Sequence, residues 1–481
     1  MLIHLHTYGC QMNQYDSELI KSLLRSSDTK WTSDPEQADV ILVNTCCVRD
    51  HAEQRALGRL RQLVHLKKSR PWVQVGILGC IAQERKGELF DEIPGLDWVV
   101  GPDEYRKLPQ LIDGSGSPQS VFHGGSGESY DDVIPTSVTG PRAFIAVMRG
   151  CDNFCSYCVV PYVRGRERSR PLASIINEAK GLSSGSVREI TLLGQNVNSY
   201  RDGNHDFSDV LREVAALPGI ERVRFITSHP KDLSERLIHA MSEVPQVCPS
   251  LHLPAQSGSD RILHLMNRQY TRSQYLEKTA MVRKHILDVA ISTDILVGFP
   301  GETDRDFQDT MNLLEEVKFH SVFSFRYSVR AGTAAAHLLD DVPESVKIAR
   351  LEAVIARQRS ISIGLHDARV GKSVTVLIEA AARKGDGNLM GRSPQDEVVV
   401  FPGNGAHIGD LCEVKIQEVR GFTLVGELTR IDKSRSSYRL SSESSCTAVS
   451  SQYMYRRNHV DISLDLRRHY HHCRIRNFAA E

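Results

Sequence analysis

From the first residue to about residue 110, short apolar runs alternate with stretches in which apolar residues recur every three or four positions. Leu2–His6, Asp39–Asn44 and Trp72–Gly79 predict strands, and Asp16–Ser26, His51–Lys68 and Gln83–Asp91 predict helices. That alternation implies βα units around a parallel sheet. From Asp113 to Asp132 the period disappears in a Gly- and Ser-dense stretch, which predicts a linker. The alternation then resumes, with strands predicted at Ala143–Met148, Glu189–Leu193, Arg222–Thr227, Ser250–Leu253, Val289–Val297 and Val322–Tyr327. Leu172–Leu182, Asp304–Val317 and Glu344–Ser362 carry helical patterns between or after them. Six such strands fit a (β/α) barrel, partial or complete. After about Ala368 the pattern changes to short strands and Gly turns, at Ser373–Ile378, Glu397–Phe401, Leu411–Val419 and Thr423–Glu427, which predicts a small all-β barrel. Beyond Lys433 no core-forming period remains, and a disordered tail is expected. The chain thus reads as α/β, divided at 1–112, a linker 113–136, 137–367, 368–432 and a tail 433–481.

Composition narrows the class. The 481 residues carry 59 Lys plus Arg against 59 Asp plus Glu, so any nucleic-acid surface must be a local face, not a global polycation. Nothing approaches about 18 consecutive apolar residues, the run Ile286–Phe299 being broken by Asp288 and Asp294, and no membrane span is expected. The first residues show no basic region followed by an apolar one, so a cytoplasmic location with reduced thiols is expected. The 11 cysteines are odd in number, which favours metal or catalytic roles where they cluster.

Cys151, Cys155 and Cys158 stand at spacings of four and three on one loop directly after a predicted strand. Three thiolates on a short loop can take three corners of a cubane and leave one iron open for a substrate. The competing reading is a zinc knuckle, but structural zinc takes four protein ligands and no His or Cys lies near in sequence to complete it. Cys10, Cys46 and Cys80 form a dispersed second set, each ending a predicted parallel strand. Carboxyl ends of parallel strands face one crevice, so distant residues converge there. Three buried cysteines acting as small hydrophobes are the alternative. Composition alone does not choose between Cys46 and its neighbour Cys47.

The Cys151-x3-Cys155-x2-Cys158 motif with Tyr157 before its last cysteine resembles the radical S-adenosylmethionine superfamily. The N-terminal trio, with Gly9-Cys10-Gln11-Met12-Asn13 and Asn44-Thr45-Cys46, resembles the methylthiotransferases of that superfamily. Leu193-Gly194-Gln195-Asn196-Val197-Asn198, Thr227-Ser228-His229-Pro230, Leu253-Pro254-Ala255-Gln256-Ser257-Gly258 and Val297-Gly298-Phe299-Pro300-Gly301-Glu302 agree with it. Gln11-Met12-Asn13 resembles the branch acting on N6-isopentenyladenosine in tRNA. The other branches act on threonylcarbamoyladenosine or on a ribosomal protein.

The resemblance implies two [4Fe-4S] clusters, with Cys46 favoured over Cys47. Cys151, Cys155 and Cys158 would hold the cluster that binds S-adenosylmethionine, cleaved by one electron to a 5′-deoxyadenosyl radical. Cys10, Cys46 and Cys80 would hold the cluster that carries sulfur. Tyr157, Gly194, Gln195, Asn196, Gly298, Phe299 and Gly301 would line the S-adenosylmethionine pocket. The final barrel resembles a TRAM domain, although between Ala368 and Asp432 eight Lys and Arg face nine Asp and Glu. The implied partners are the anticodon loop of tRNA and an electron donor such as flavodoxin or ferredoxin, with the chain a monomer. A zinc-containing RNA-binding protein is the reading from a different class. Arg164, Arg166, Arg168 and Arg170 alternate after the cysteine loop, suited to carboxylates or phosphates. Arg55, Arg59, Arg61, Lys67 and Lys68 offer a second basic stripe.

Overall fold

The computed structural model describes residues 1–47, 50–114, 119–122, 127–135, 138, 140–385 and 387–432; the expected tail lies outside the described residues. The N-terminal part is a six-stranded parallel sheet in the order Lys30–Trp31, Leu2–Thr7, Val40–Thr45, Gln74–Gly79, Trp98–Val100, Gln119–Val121. Only three of these strands are evident from hydrophobic periodicity, because the other three are two or three residues long. The stretch expected as a linker supplies the sixth strand and buries Tyr130, whose hydroxyl accepts from Tyr105 N–H and donates to the Pro102 carbonyl. The helix expected over Gln83–Asp91 is two helices, Cys80–Arg85 and Glu88–Glu92, parted where Lys86 takes a left-handed backbone.

The second part holds two three-stranded parallel sheets. Their orders are Arg222–Ile226, Glu189–Leu193, Arg142–Ala146, and Ser250–His252, Ala290–Val297, Ser321–Arg326. The bridge Val223–Val247 joins the first sheet to the segment leading into the second, giving a partial barrel. Outer helices start where side chains satisfy orphan N–H groups: Asp206, Thr271 and Thr303 form capping boxes, and Ser234 accepts from Leu237 N–H. The core between strands and helices includes Ile145, Ile190, Leu192, Val223, Leu251, Ile291 and Ile295.

A closed five-stranded barrel follows, in the order Ser373–Ala381, Asn388–Arg392, Val398–Pro402, Thr423–Ile431, Leu411–Arg420. Its second strand is silent in the sequence because Asn-Leu-Met-Gly-Arg lacks β-branched residues. Gly391 is required there, since a Cβ would fall 2.2 Å from the Leu377 carbonyl oxygen. Arg222 donates to the Arg392 and Thr375 carbonyls, and Arg224 to those of Pro394 and Ser393. Arg222, Glu189 and Arg142 begin their strands, so the small barrel is docked at the amino ends of the first sheet. The cysteine loop lies at the opposite end.

Candidate active site

The loop carrying Cys151, Cys155 and Cys158 leaves the short strand Met148–Arg149, which pairs antiparallel with Arg168–Ser169. Gly150 begins it with φ +77°, and a Cβ there would lie 2.0 Å from the Arg166 carbonyl oxygen, so only glycine fits. Cys151 N–H donates to the Gly165 carbonyl, and Cys158 N–H to that of Cys155. The segment Leu265–Arg268 braces the far side. Ser156 donates to the Met266 and Leu265 carbonyls, Asn267 to that of Phe154, and Arg268 Nη1 lies 3.3 Å from Cys155 Sγ. Burial and the neighbouring Cys155 push the Cys158 thiol up to about 12, and burial raises Cys151 as well. Thiols kept protonated by burial become ligands only when a cation takes the proton's place, which suits a metal cluster.

The N-terminal sheet brings the dispersed cysteines together. Cys10 caps the helix Gln11–Leu23, Cys46 follows the strand Val40–Thr45, and Cys80 opens the helix after Gln74–Gly79. Asn13 and Asn44 lock these turns. Asn13 Nδ2 donates to Asn44 Oδ1 and the Thr45 carbonyl, while Asn44 Nδ2 donates to the Asn13 carbonyl and Ser17 Oγ. A Cβ on Gly9 would stand 2.7 Å from Cys46 Cβ, so Gly9 lets the two turns close on each other. A hydrogen bond from Cys46 and the charge of Arg164 pull the Cys10 thiol down to about 6. A hydrogen bond from Cys47, with Arg164 again, lowers Cys80. The structure therefore places Cys47 among the trio, beside Cys80. Among the described residues no three His, Cys, Asp or Glu side chains stand close enough for a single metal ion. A cubane spaces its thiolates around a larger body, and the all-thiol donor sets suit one.

The other expected residues divide. Gln195 Oε1 accepts from Gly150 N–H at 2.6 Å, so it reaches the cysteine loop. Asn196 accepts from His229 N–H and donates to Asp232, and Gly194 leaves room for Met148. Phe299 is buried against Tyr327 in a cluster that Tyr157 packs upon. Gly298 donates to Glu302, itself paired with Arg350, whereas Gly301 sits on the outer side bonded to Asp341 and Arg261. The Asn198 amide, Ser228 Oγ and His229 Nε2 are buried with no hydrogen-bond partner among the described residues, just past the carboxyl ends of two adjacent strands. Because His229 Nδ1 accepts from Lys231 N–H, its Nε2 carries the proton. Such orphaned groups fit a polar cofactor with amino, carboxylate and hydroxyl functions.

The alternating arginines hold this chain's own carboxylates. Arg164 and Arg149 both bind Asp16, Arg168 binds Asp103, Arg170 binds Glu178, and Arg166 at the surface pairs with Asp152. In the second stripe Arg61 and Lys67 pair with Glu92 and Asp97. Asp16, Arg149 and Arg268 were not evident in the sequence. Buried charge can be seen there only as isolated letters, and these partners lie more than 100 residues apart.

These features, thiol triplets at the carboxyl ends of parallel strands beside orphaned polar groups, define a radical S-adenosylmethionine enzyme with an added N-terminal sheet. Residues 145–314 match the Radical SAM superfamily, residues 2–101 match the Uncharacterized protein family UPF0004, and residues 367–429 match the TRAM domain. A relative from Chloroherpeton thalassium, a "tRNA-2-methylthio-N(6)-dimethylallyladenosine synthase", is 46% identical over 88% of this chain and 95% of its own. One of the same description from Porphyromonas gingivalis is 44% identical over 89% and 94%. The chain belongs to the family of tRNA-2-methylthio-N(6)-dimethylallyladenosine synthases. The solved radical S-adenosylmethionine methyltransferase TsrM from Kitasatospora setae shares its fold. The TM-score is 0.53 at 13% identity, covering 70% of this chain and 77% of that one.

Proposed function

We propose that this chain is a methylthiotransferase that places a methylthio group on C2 of N6-isopentenyladenosine at position 37 of tRNA. The observation that carries this is the pair of thiol triplets, one on each side of the Asp16 ion pairs, in a chain whose relatives bear that description over nearly their full length. Cys151, Cys155 and Cys158 hold one [4Fe-4S] cluster, and Cys10, Cys46 and Cys80 the other. When bound, the clusters and S-adenosylmethionine supply the one-electron and sulfur chemistry.

The chain's own residues orient these groups. Gln195 fixes the start of the cysteine loop through Gly150, and Leu265–Arg268 fixes its far side. Tyr157 packs on the buried apolar cluster of Phe299 and Tyr327, which backs the cysteine loop. Asn198, Ser228 and His229 offer unspent hydrogen-bonding groups, His229 as a neutral N–H donor because burial holds its pKa near about 2. A base must leave its stack for C2 to reach the pocket, and single-stranded anticodon loops release bases at least cost. The TRAM barrel supplies a second RNA contact, and a flavodoxin- or ferredoxin-type carrier the electrons. The enzyme works as a monomer in the cytoplasm.

The test is competition between tRNAs carrying isopentenyl- or threonylcarbamoyladenosine, with reconstituted enzyme and mass spectrometry of the digested nucleosides. Preferential methylthiolation of the isopentenyl form is expected. Faster reaction of the other form, or labelling only of a ribosomal protein, would overturn the substrate assignment.

A further inference from the structure

Arg164 follows the helical turn Val160–Val163 and belongs to the chain segment of the Cys151 loop. That turn packs against the N-terminal sheet: Val159 and Val163 share a buried cluster with Cys47, Cys80, Ile81 and Ala82. The Arg164 side chain is buried, and its Nη2 donates to Asp16 Oδ2 at 2.9 Å. Asp16 lies on the helix that Cys10 caps, and its other oxygen accepts from Arg149, two residues before Cys151. One carboxylate thus ties the two cysteine sets together. Arg149 rests its cationic face on the Tyr130 ring at 4.7 Å. Among the described residues Arg164 Nη1, like Arg149 Nε and Nη1, is buried and finds no hydrogen-bond partner, but Arg164 has no such ring beneath it and lies on the side of the N-terminal cysteines. The Arg164 guanidinium is within electrostatic reach of the Cys80 and Cys10 thiols, Asp16 and the Tyr105 hydroxyl, and the adjacent Val163 packs in one cluster with Cys80. A buried guanidinium edge left open beside two thiols calls for an acceptor that arrives with the metal.

We propose that Arg164 is a positioning residue for the cluster held by Cys10, Cys46 and Cys80, donating from Nη1 to a cluster sulfur or ligand thiolate while Asp16 fixes Nη2. This rests on the reading that those cysteines hold a cluster. Hydrogen bonds and positive charge at the sulfurs stabilise the reduced, more negative state, so they set the reduction potential. The cluster on one domain would then be tuned by a residue of the other.

The test is an EPR-monitored reductive titration of reconstituted full-length protein, wild type against Arg164→Gln and Arg164→Lys, with iron and sulfide counted. The same substitutions in a C151A/C155A/C158A background identify which signal belongs to the N-terminal cluster. In Arg164→Gln that cluster should hold its electron about tenfold less tightly, about 59 mV more negative for one electron, while the other cluster keeps its potential. Arg164→Lys should shift it less in the same direction. Unchanged potentials in both variants, or equal shifts of both clusters, would overturn the proposal. If Arg164→Gln does not load iron, Arg164→Lys decides by the same criterion, and loss of both clusters from both variants would show a role in folding only. Wild-type iron that survives intact in C10A/C46A/C80A would instead remove the underlying reading.

Discussion

Asp16 is buried with two guanidinium partners, and removing it strands both of them. Breaking such a set from one side leaves uncompensated buried charge, so Asp16→Ala should destabilise the protein by about 3–5 kcal/mol, read by chemical denaturation. The cysteines make a separate prediction. C151A/C155A/C158A should halve the iron and abolish S-adenosylmethionine cleavage, whereas C10A/C46A/C80A should halve the iron and leave some cleavage. Histidines give a pH signature. Burial pushes both His6 and His320 down to about 4, while an unfolded histidine titrates near 6.5. Between these values the unfolded chain binds protons that the folded one refuses, so stability falls as pH drops from about 6.5 to 4. His320→Gln should remove about 3 kcal/mol of that loss, read as a lower acid-unfolding midpoint of the protein without clusters. The cysteine loop was legible because its ligands are local. Arg268 was not, because its approach to Cys155 spans 113 residues and depends on how the barrel closes.

Periodic elements were legible and short ones were not. Glu189–Leu193 and Asp304–Val317 have the predicted bounds, since each buries a regular face or run between clear caps. Lys30–Trp31, Trp98–Val100 and Asn388–Arg392 are strands only because neighbours pair with them. The helix at Gln11–Leu23 begins five residues before its apolar pattern does, because Cys10 caps it without a Ser, Thr, Asp or Asn signal. At this scale Gly150 is the most exposed to test. Gly150→Ala would drive a methyl group into the Arg166 carbonyl and force a left-handed backbone on alanine. The expected outcome is loss of half the iron with the N-terminal cluster intact; full iron in that variant would show that the loop tolerates rearrangement.

Across the whole molecule, the TRAM barrel sits at the amino ends of the first sheet and the cysteines at the carboxyl ends, so an RNA held by both must pass along the side of the barrel. A chain with zero net charge has no diffuse field to achieve that, and its RNA contacts must be local. Arg224→Ala removes two carbonyl bonds and a Glu189 pair at the docking point. It should raise tRNA Kd and speed proteolysis near 368–372 while iron content and S-adenosylmethionine cleavage stay unchanged. The central claim, that one chain joins radical and sulfur chemistry on a tRNA base, is tested most directly by a single labelling measurement. Reconstituted enzyme is given reductant, S-adenosylmethionine with a carbon-13 methyl group, and tRNA bearing isopentenyladenosine, and the nucleosides are weighed. The account predicts 2-methylthio-N6-isopentenyladenosine carrying the labelled methyl group; fully iron-loaded enzyme that cleaves S-adenosylmethionine yet leaves the tRNA nucleosides unlabelled would contradict it.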